Sequence, residues 1–414
     1  MSSRAVSRAV VAPGFVSAMV IGWLGHFVVD FFIGIWPIYK TMADLDIAKA
    51  GLIAGFAGFF GDGLQIVFGI FSDRGFVRRL LFAGVLLSFG IVFVTYTHNY
   101  YMMFFLVLLL YIGSGVFHPA GAGMMGSLTA KHKSVMSTFF TSGGMLGLAI
   151  SQIVFAKTYS FFNGHAFLLV LPALFLLVCI LFAKLPDHVQ QRQKGRFNYQ
   201  DLFKAIKFCR KPLMLLYFLQ ILCQALFFST VFLLPDVLQS RGYPDWLVFG
   251  GGHLFLILGA ALLMIPAGYI ADRCGERFML LWMVFFGAIS YFFFLWKDLT
   301  SLAAVCSLLF CVGACLGTIN PVIVAFGNRL MPRYAGAVSA LLMGFAWCFS
   351  YFGPALSGYL TSLFPTNGPV KALTIMGSLY IVSFVLSWML PNLKALAAFT
   401  PQPAPSDALE KIKI

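Results

Sequence analysis

The segment GIFSDRGFVRR at residues 69–79 returns as GYIADRCGER at residues 268–277, with Asp272 lying 199 positions beyond Asp73. Each copy follows one long apolar run and precedes another. Each therefore reads as a tight turn between two membrane helices, held where its bases meet anionic headgroups. The recurrence says that the chain is built twice.

Working outward, the chain has 414 residues, 60% hydrophobic and only 10% charged, with 47 Phe. A water-soluble globule of this size has no interior large enough for that much apolar surface. Only helices and closed barrels satisfy backbone polar groups in lipid, and unbroken apolar runs exclude the period-two pattern of a barrel. The runs predict twelve spanning helices at roughly 15–38, 48–72, 77–97, 100–127, 134–156, 165–184, 213–239, 246–272, 276–296, 299–328, 334–362 and 369–390. The expected fold is an all-α membrane protein with twelve transmembrane helices in two pseudo-symmetric six-helix bundles. Its expected divisions are a first bundle at 1–184, a cytoplasmic linker at 185–212, a second bundle at 213–392 and a cytoplasmic tail at 393–414.

The formal charge of +14 is sorted by side. With the N-terminus cytoplasmic, 22 of the 28 Lys and Arg fall inside; Lys40, Lys49, Lys157, Arg241, Lys297 and Lys371 fall outside. That asymmetry predicts both termini in the cytoplasm and argues against nucleic acid as a partner. No cleavable signal peptide is expected, because the first apolar run is too long for one. None of the eight Cys is predicted to lie outside, so structural disulfides are not expected. Cys311 and Cys315, one turn apart without further ligands, read as packing, and neither a metal nor a cofactor is expected. In the linker, Tyr199, Leu202, Phe203 and Ile206 at helical spacing, among Lys204, Lys207, Arg210 and Lys211, predict a basic amphipathic helix on the inner leaflet.

Ionisable groups inside a membrane cost about 2.5–3.5 kcal/mol each on insertion scales, so each needs a partner, water or a neutral form. His26 and Asp30 are four apart on one helix face, within hydrogen-bonding reach, and can trade a proton. The alternative is a hydrogen bond that only orients helix one. Asp62 lies midway along helix two with Gln65 three residues on, placed either to titrate or merely to accept hydrogen bonds where helices pack. His118 precedes Pro119, which removes a helical donor and favours a bend; the imidazole then faces a cavity or simply stabilises that bend. Asn320-Pro321 repeats the pattern with a group that cannot titrate. His253, near the start of helix eight, is a cavity residue or an interfacial one. No nucleotide loop, zinc helix or nucleophile elbow is present, which leaves ATP-driven pumping and hydrolysis unsupported.

Parallel six-helix repeats about an axis along the membrane normal are the architecture of the major facilitator carriers, and the chain resembles that superfamily over nearly its whole length. Its turn motif, Gly-x-x-x-Asp-Arg/Lys-x-Gly-Arg/Lys-Arg/Lys, is matched by Gly268, Asp272, Arg273, Gly275 and Arg277; the first copy keeps Gly69, Asp73 and Arg74 with its basic pair at Arg78 and Arg79. Within the superfamily, the chain is most similar to the bacterial fosmidomycin-resistance type of efflux carriers. The residues behind this are Gly22 through His26 to Asp30 with Tyr39, Gly113 through Phe117-His118-Pro119, Gly143-Gly144, His253-Leu-Phe255 and Met343 to Ala346. The antiporter signature of helix five is not met by Ser142 to Gly147, and a Gly353-Pro354 string appears in helix eleven instead.

The resemblance implies a monomeric secondary transporter of a bacterial inner membrane that works by alternating access, with lipids, protons and a small-molecule substrate as partners. Proton-coupled export of a small organic compound or drug is the expectation. Symport of a metabolite or metal chelate is the alternative, and a non-transporting receptor or scaffold the alternative of another class. Asp73 and Asp272, with Arg74 and Arg273, take the superfamily's gating role, with Arg329 and Arg333 as partners from the matching turn.

Overall fold

The computed structural model describes residues 14–129, 133–185 and 199–392. The expected tail and the first part of the linker lie outside them. Eleven helices are long and apolar enough to span a bilayer: α1 (Phe15–Met42), α2 (Ile47–Asp73), α3 (Val77–Tyr96), α4 (Tyr100–Ser127), α5 (Val135–Phe161), α7 (Arg210–Ser240), α8 (Leu247–Cys274), α9 (Glu276–Trp296), α10 (Leu302–Leu330), α11 (Ala335–Ser362) and α12 (Gly368–Met389). Between α5 and α7 runs the shorter apolar helix α6 (Phe167–Phe182). The protein is an all-helical membrane protein of twelve spans in two bundles, and among the described residues there is no strand.

Water is excluded as the solvent of this surface. Phe161, Phe175, Phe182, Ile265 and Ile381 are more than half exposed on the outside of the bundle, an apolar surface that only hydrocarbon accommodates. An even number of spans puts residues 14 and 392 on the same side, together with the two basic turns. That face is called the basic side below.

The two turns are built alike. Gly75 at φ 91° and Gly275 at φ 101° reverse the chain in a left-handed conformation that side chains rarely adopt. Just beyond each, an arginine reaches back to the end of its bundle's last helix. Arg78 donates to the carbonyls of Ile180, Leu181 and Ala183, at 3.1, 2.6 and 2.7 Å, and Arg277 donates to that of Trp388 at 2.6 Å. A cation at a helix C-terminus complements the dipole and the unpaired carbonyls. The shift in glycine position between the copies thus leaves the role of Arg78 and Arg277 unchanged.

The bundles meet along α2 with α11 and along α5 with α8. Gly51, Gly55 and Gly58 of α2 have no room for a side chain against Pro354, Ala355 and Tyr351 of α11, the small-residue packing that lets membrane helices approach. These contacts lie toward the side away from the basic turns. On the basic side, Gly336 and Gly344 of α11 have open space where a side chain would stand. The linker carries a helix, Tyr199–Phe208, whose Phe203 and Phe208 are exposed.

Candidate functional site

His26, Asp30 and His118 converge. The i, i+4 spacing on α1 sets His26 Nε2 3.2 Å from Asp30 Oδ2, and α4 brings His118 Nε2 to 3.2 Å from Asp30 Oδ1 and 3.1 Å from His26 Nε2. Helix α5 can lie against this triangle because position 144 is glycine: a side chain there would run into His26 and Asp30. The rings are fixed from behind. His26 Nδ1 donates to the carbonyl of Phe140 at 2.8 Å and His118 Nδ1 to that of Ser114 at 2.9 Å. Phe140 also stacks on His26, with ring centroids 4.1 Å apart.

Those backbone bonds decide the chemistry of the triangle. A carbonyl only accepts, so each Nδ1 carries a hydrogen and each neutral imidazole turns a lone pair inward. Two lone pairs and a carboxylate then meet at about hydrogen-bond distance, which is repulsive unless a proton or another cation lies between them. These three residues are also the set among the described residues whose donor atoms, within 4.8 Å of one another, could hold a metal ion.

The network continues from α4 to α2. The hydroxyl of Ser114 donates to Asp62 Oδ1 at 3.1 Å, and the amide of Gln65 donates to the same oxygen at 3.1 Å. Tyr351, from α11, packs against Gly58, one turn before Asp62, and its ring lies 4.9 Å from that of Tyr111. His26, Asp30, His118, Asp62 and Gln65 therefore belong to one polar path through the first bundle. Ser114 completes it and is not distinctive in sequence; it sits one turn before His118, which is the signal that marks it.

Two other expected site residues lie elsewhere. His253 is buried at the bundle interface, where its Nε2 donates to the carbonyl of Leu148 at 2.9 Å. Asn320 sits in the second bundle and accepts from the amide of Gln220 at 2.5 Å.

On the basic side, Asp272 pairs with Arg329, which also reaches Glu276 at 2.7 Å. These contacts join α8, α9 and α10 of one bundle rather than the two bundles. Arg74 lies over Phe71 at 5.9 Å, Arg79 over Phe76 at 5.4 Å and Arg273 over Tyr269 at 4.4 Å, snorkelling along aromatic rings. Gly69 and Gly268 are not crowded. The side chain of Arg333 falls outside the described residues, and Asp73 makes contacts of its own.

A charge pair among the described residues that joins the bundles is at the opposite end. Lys40, at the end of α1 and 1% exposed, is salt-bridged to Asp236 of α7, while Thr41 donates to the other carboxylate oxygen at 3.0 Å. Lys40 Nζ also lies 4.6 Å from the Phe232 ring centroid. Counting Lys40 among the outer loop charges missed this pair; Asp236, directly after Pro235 inside an apolar run, was the available signal. Between this pair and the Tyr111–Tyr351 contact is a cavity walled by Trp36, Tyr111, Phe227, Phe228, Phe232 and Tyr351 among others.

Two helical bundles enclosing a cavity beside a buried polar network define a membrane carrier. The chain belongs to the Major Facilitator Superfamily, whose sequence pattern matches residues 18–351 and, in a second match, 253–413. It is accordingly a secondary transporter for small molecules and not an enzyme. No curated protein sequence matches it. Among solved structures, a bacterial homolog of the human lysosomal transporter Spinster, inward-facing and unoccupied, has TM-score 0.74 at 14% identity, over 94% of this chain and 98% of that one. The inward-facing, occupied form gives 0.72 at 12% identity over 94% and 98%. The nucleoside transporter NupG gives 0.73 at 13% identity over 93% of this chain and 100% of its own. Identities this low speak to the fold alone.

Proposed function

We propose that the chain exchanges protons for a small organic compound across a bacterial inner membrane, with His26, Asp30 and His118 carrying the coupling proton. The observation that carries this is the triangle itself: two Nε2 atoms and a carboxylate at 3.1–3.2 Å, with both Nδ1 atoms committed to backbone carbonyls. Such a site gains from a proton and is strained without one. The path from it ends at Asp62, one turn beyond Gly58, against which packs Tyr351 of the second bundle, a wall of the cavity between the bundles. Rocking of the bundles then changes the company of Asp62 whenever α11 moves.

Export is the direction, by similarity to the fosmidomycin-resistance type of carriers, with both termini cytoplasmic by the charge asymmetry. The turns at Asp73-Arg74 and Asp272-Arg273 act as the cytoplasmic gate, and the Lys40–Asp236 pair as the outer one, made in this conformation and broken when the carrier opens outward.

Inside-out membrane vesicles energised to an acid lumen and read by quinacrine fluorescence test the assignment. A transported compound, drawn from a panel of drugs and organic acids, is expected to dissipate the gradient with the native protein and not with Asp30→Asn or His118→Asn. Dissipation that persists undiminished in Asp30→Asn contradicts it.

A further inference from the structure

The donor atoms of His26, Asp30 and His118 have the spacing of a metal-ligand set. The two imidazole centroids lie 4.8 Å apart with planes at 88°, yet their Nε2 atoms are 3.1 Å apart, so the Nε2 corners are turned toward each other. The carboxylate closes the figure, with Oδ2 3.2 Å from Nε2 of His26 and Oδ1 3.2 Å from Nε2 of His118. Late first-row metal ions hold imidazole nitrogen and carboxylate oxygen at about 2.0–2.2 Å, which sets neighbouring donors about 2.9 Å apart at right angles and about 3.4 Å apart in a tetrahedron. The separations in the triangle, 3.1–3.2 Å, fall inside that interval.

What lies behind the donors suits an ion as well. Each Nδ1 donates to a backbone carbonyl, of Phe140 at 2.8 Å and of Ser114 at 2.9 Å, the outer-shell bond that fixes a ligating ring and leaves the Nε2 lone pair for a metal. Asp30 Oδ1 is buried without a hydrogen-bond partner, since the Nε2 of His118 offers it a lone pair rather than a hydrogen. A second buried carboxylate, Asp62, is linked to the triangle through Ser114 and His118. Among the described residues neither carboxylate is paired with a Lys or Arg, so a dication between the imidazoles supplies the charge that both lack. The triangle is also reachable. The side chains of His118 and Asp30 are 24% and 17% exposed, which gives the entry path that a metal site needs.

We propose that His26, Asp30 and His118 form a binding site for a divalent ion of the late first-row metals, with Zn²⁺ as its probe, held by both Nε2 atoms and the Asp30 carboxylate while water completes the coordination. Two nitrogens and a carboxylate select such an ion over Mg²⁺ and Ca²⁺, which take oxygen ligands. The metal uses the same lone pairs as a proton, so a metal-loaded chain does not load a proton at the triangle. Binding of the ion rests on the geometry of the three side chains and stands apart from the coupling reading above.

The purified full chain in detergent, stripped of metal and free of any affinity tag, is titrated with Zn²⁺ against a chromophoric chelator, and the loaded protein is read by X-ray absorption at the zinc edge. The expected result is one tightly held Zn²⁺ per chain that excess Mg²⁺ does not displace, with imidazole nitrogen and oxygen at about 2.0–2.2 Å and no sulfur in its shell. His26→Gln, Asp30→Asn and His118→Gln are each expected to weaken Zn²⁺ binding at least about a hundredfold, the upper end of what loss of an outer-shell partner costs. Thermal unfolding of each variant without metal separates a lost ligand from a lost fold, and the zinc spectrum of the native chain is read without any variant. Absence of tight binding, a shell that contains sulfur, or binding undiminished in a folded His118→Gln overturns the proposal. The titration needs no gradient, and the quinacrine assay needs no zinc. Zinc binding without proton coupling therefore removes only the coupling assignment, and coupling without zinc binding removes only the metal site.

Discussion

In the first bundle α1 offers His26 and Asp30 four residues apart, and α4 adds His118 just before Pro119. In the second, α7 offers Gln220 and Gln224 four residues apart, and α10 adds Asn320 just before Pro321. The geometry is shared: His118 meets His26 at 3.1 Å, and Gln220 meets Asn320 at 2.5 Å. The chemistry is not shared. Amides hold the helices together at any pH, whereas two imidazoles and a carboxylate need a cation to meet at all. Under the proposed coupling, the duplicated scaffold has kept one polar crossing as structure and put the proton carrier at the other.

The contrast is broken most severely at Asp30. Replacing it by Asn moves the first triangle toward the amide form of the second, and the proton-coupled rate in vesicles is expected to fall on the order of a hundredfold, the scale of losing a positioned proton carrier. Unchanged coupling would show that both halves are structural. Next in size is the pair that ties the two halves together. Lys40→Ala leaves Asp236 buried without its cation and is expected to lower stability by about 3–5 kcal/mol, whereas Lys40→Ala with Asp236→Ala recovers most of that loss. Thermal unfolding of the purified protein reads both, and a double variant no better than the single one would show that the pair contributes little.

The amide crossing sharpens the comparison from the other side. Gln220→Leu is expected to cost about 1–2 kcal/mol of stability and to leave the pH response of transport as it was; a shifted pH response would mean that the second half shares in coupling. The smallest effects belong to the helix-end clamps. Arg78→Ala and Arg277→Ala are each expected to cost about 0.5–1 kcal/mol, equal within error because the two turns do the same work. A loss confined to one of them would break the equivalence of the turns.

Much of the fold could be read from hydrophobic runs, because lipid demands long unbroken helices and the apolar stretches count them. Helix ends were less legible. Polar residues such as Thr41 and Lys157 looked like loop, yet α1 continues to Met42 and α5 to Phe161, since helix backbone pays no penalty for extending into the interface. Of the site, the His26–Asp30 pairing follows from spacing on one helix, and His118 was marked by its proline. Their meeting in one triangle depends on how closely α1, α4 and α5 approach, which the glycine at 144 permits but does not announce. Lys40 was misleading for a related reason: a base at a helix end suits the interface equally well, and only the position of α7 puts Asp236 opposite it.

Nitrogen-15 magnetic resonance of the histidine side chains tests the shared proton most directly, with His26→Gln and His118→Gln used to assign the signals. Both Nδ1 atoms are expected to carry a hydrogen, and the two Nε2 signals to report one proton shared with Asp30 and to change together in Asp30→Asn. Nε2 signals that are independent of each other and indifferent to Asp30→Asn would contradict the account.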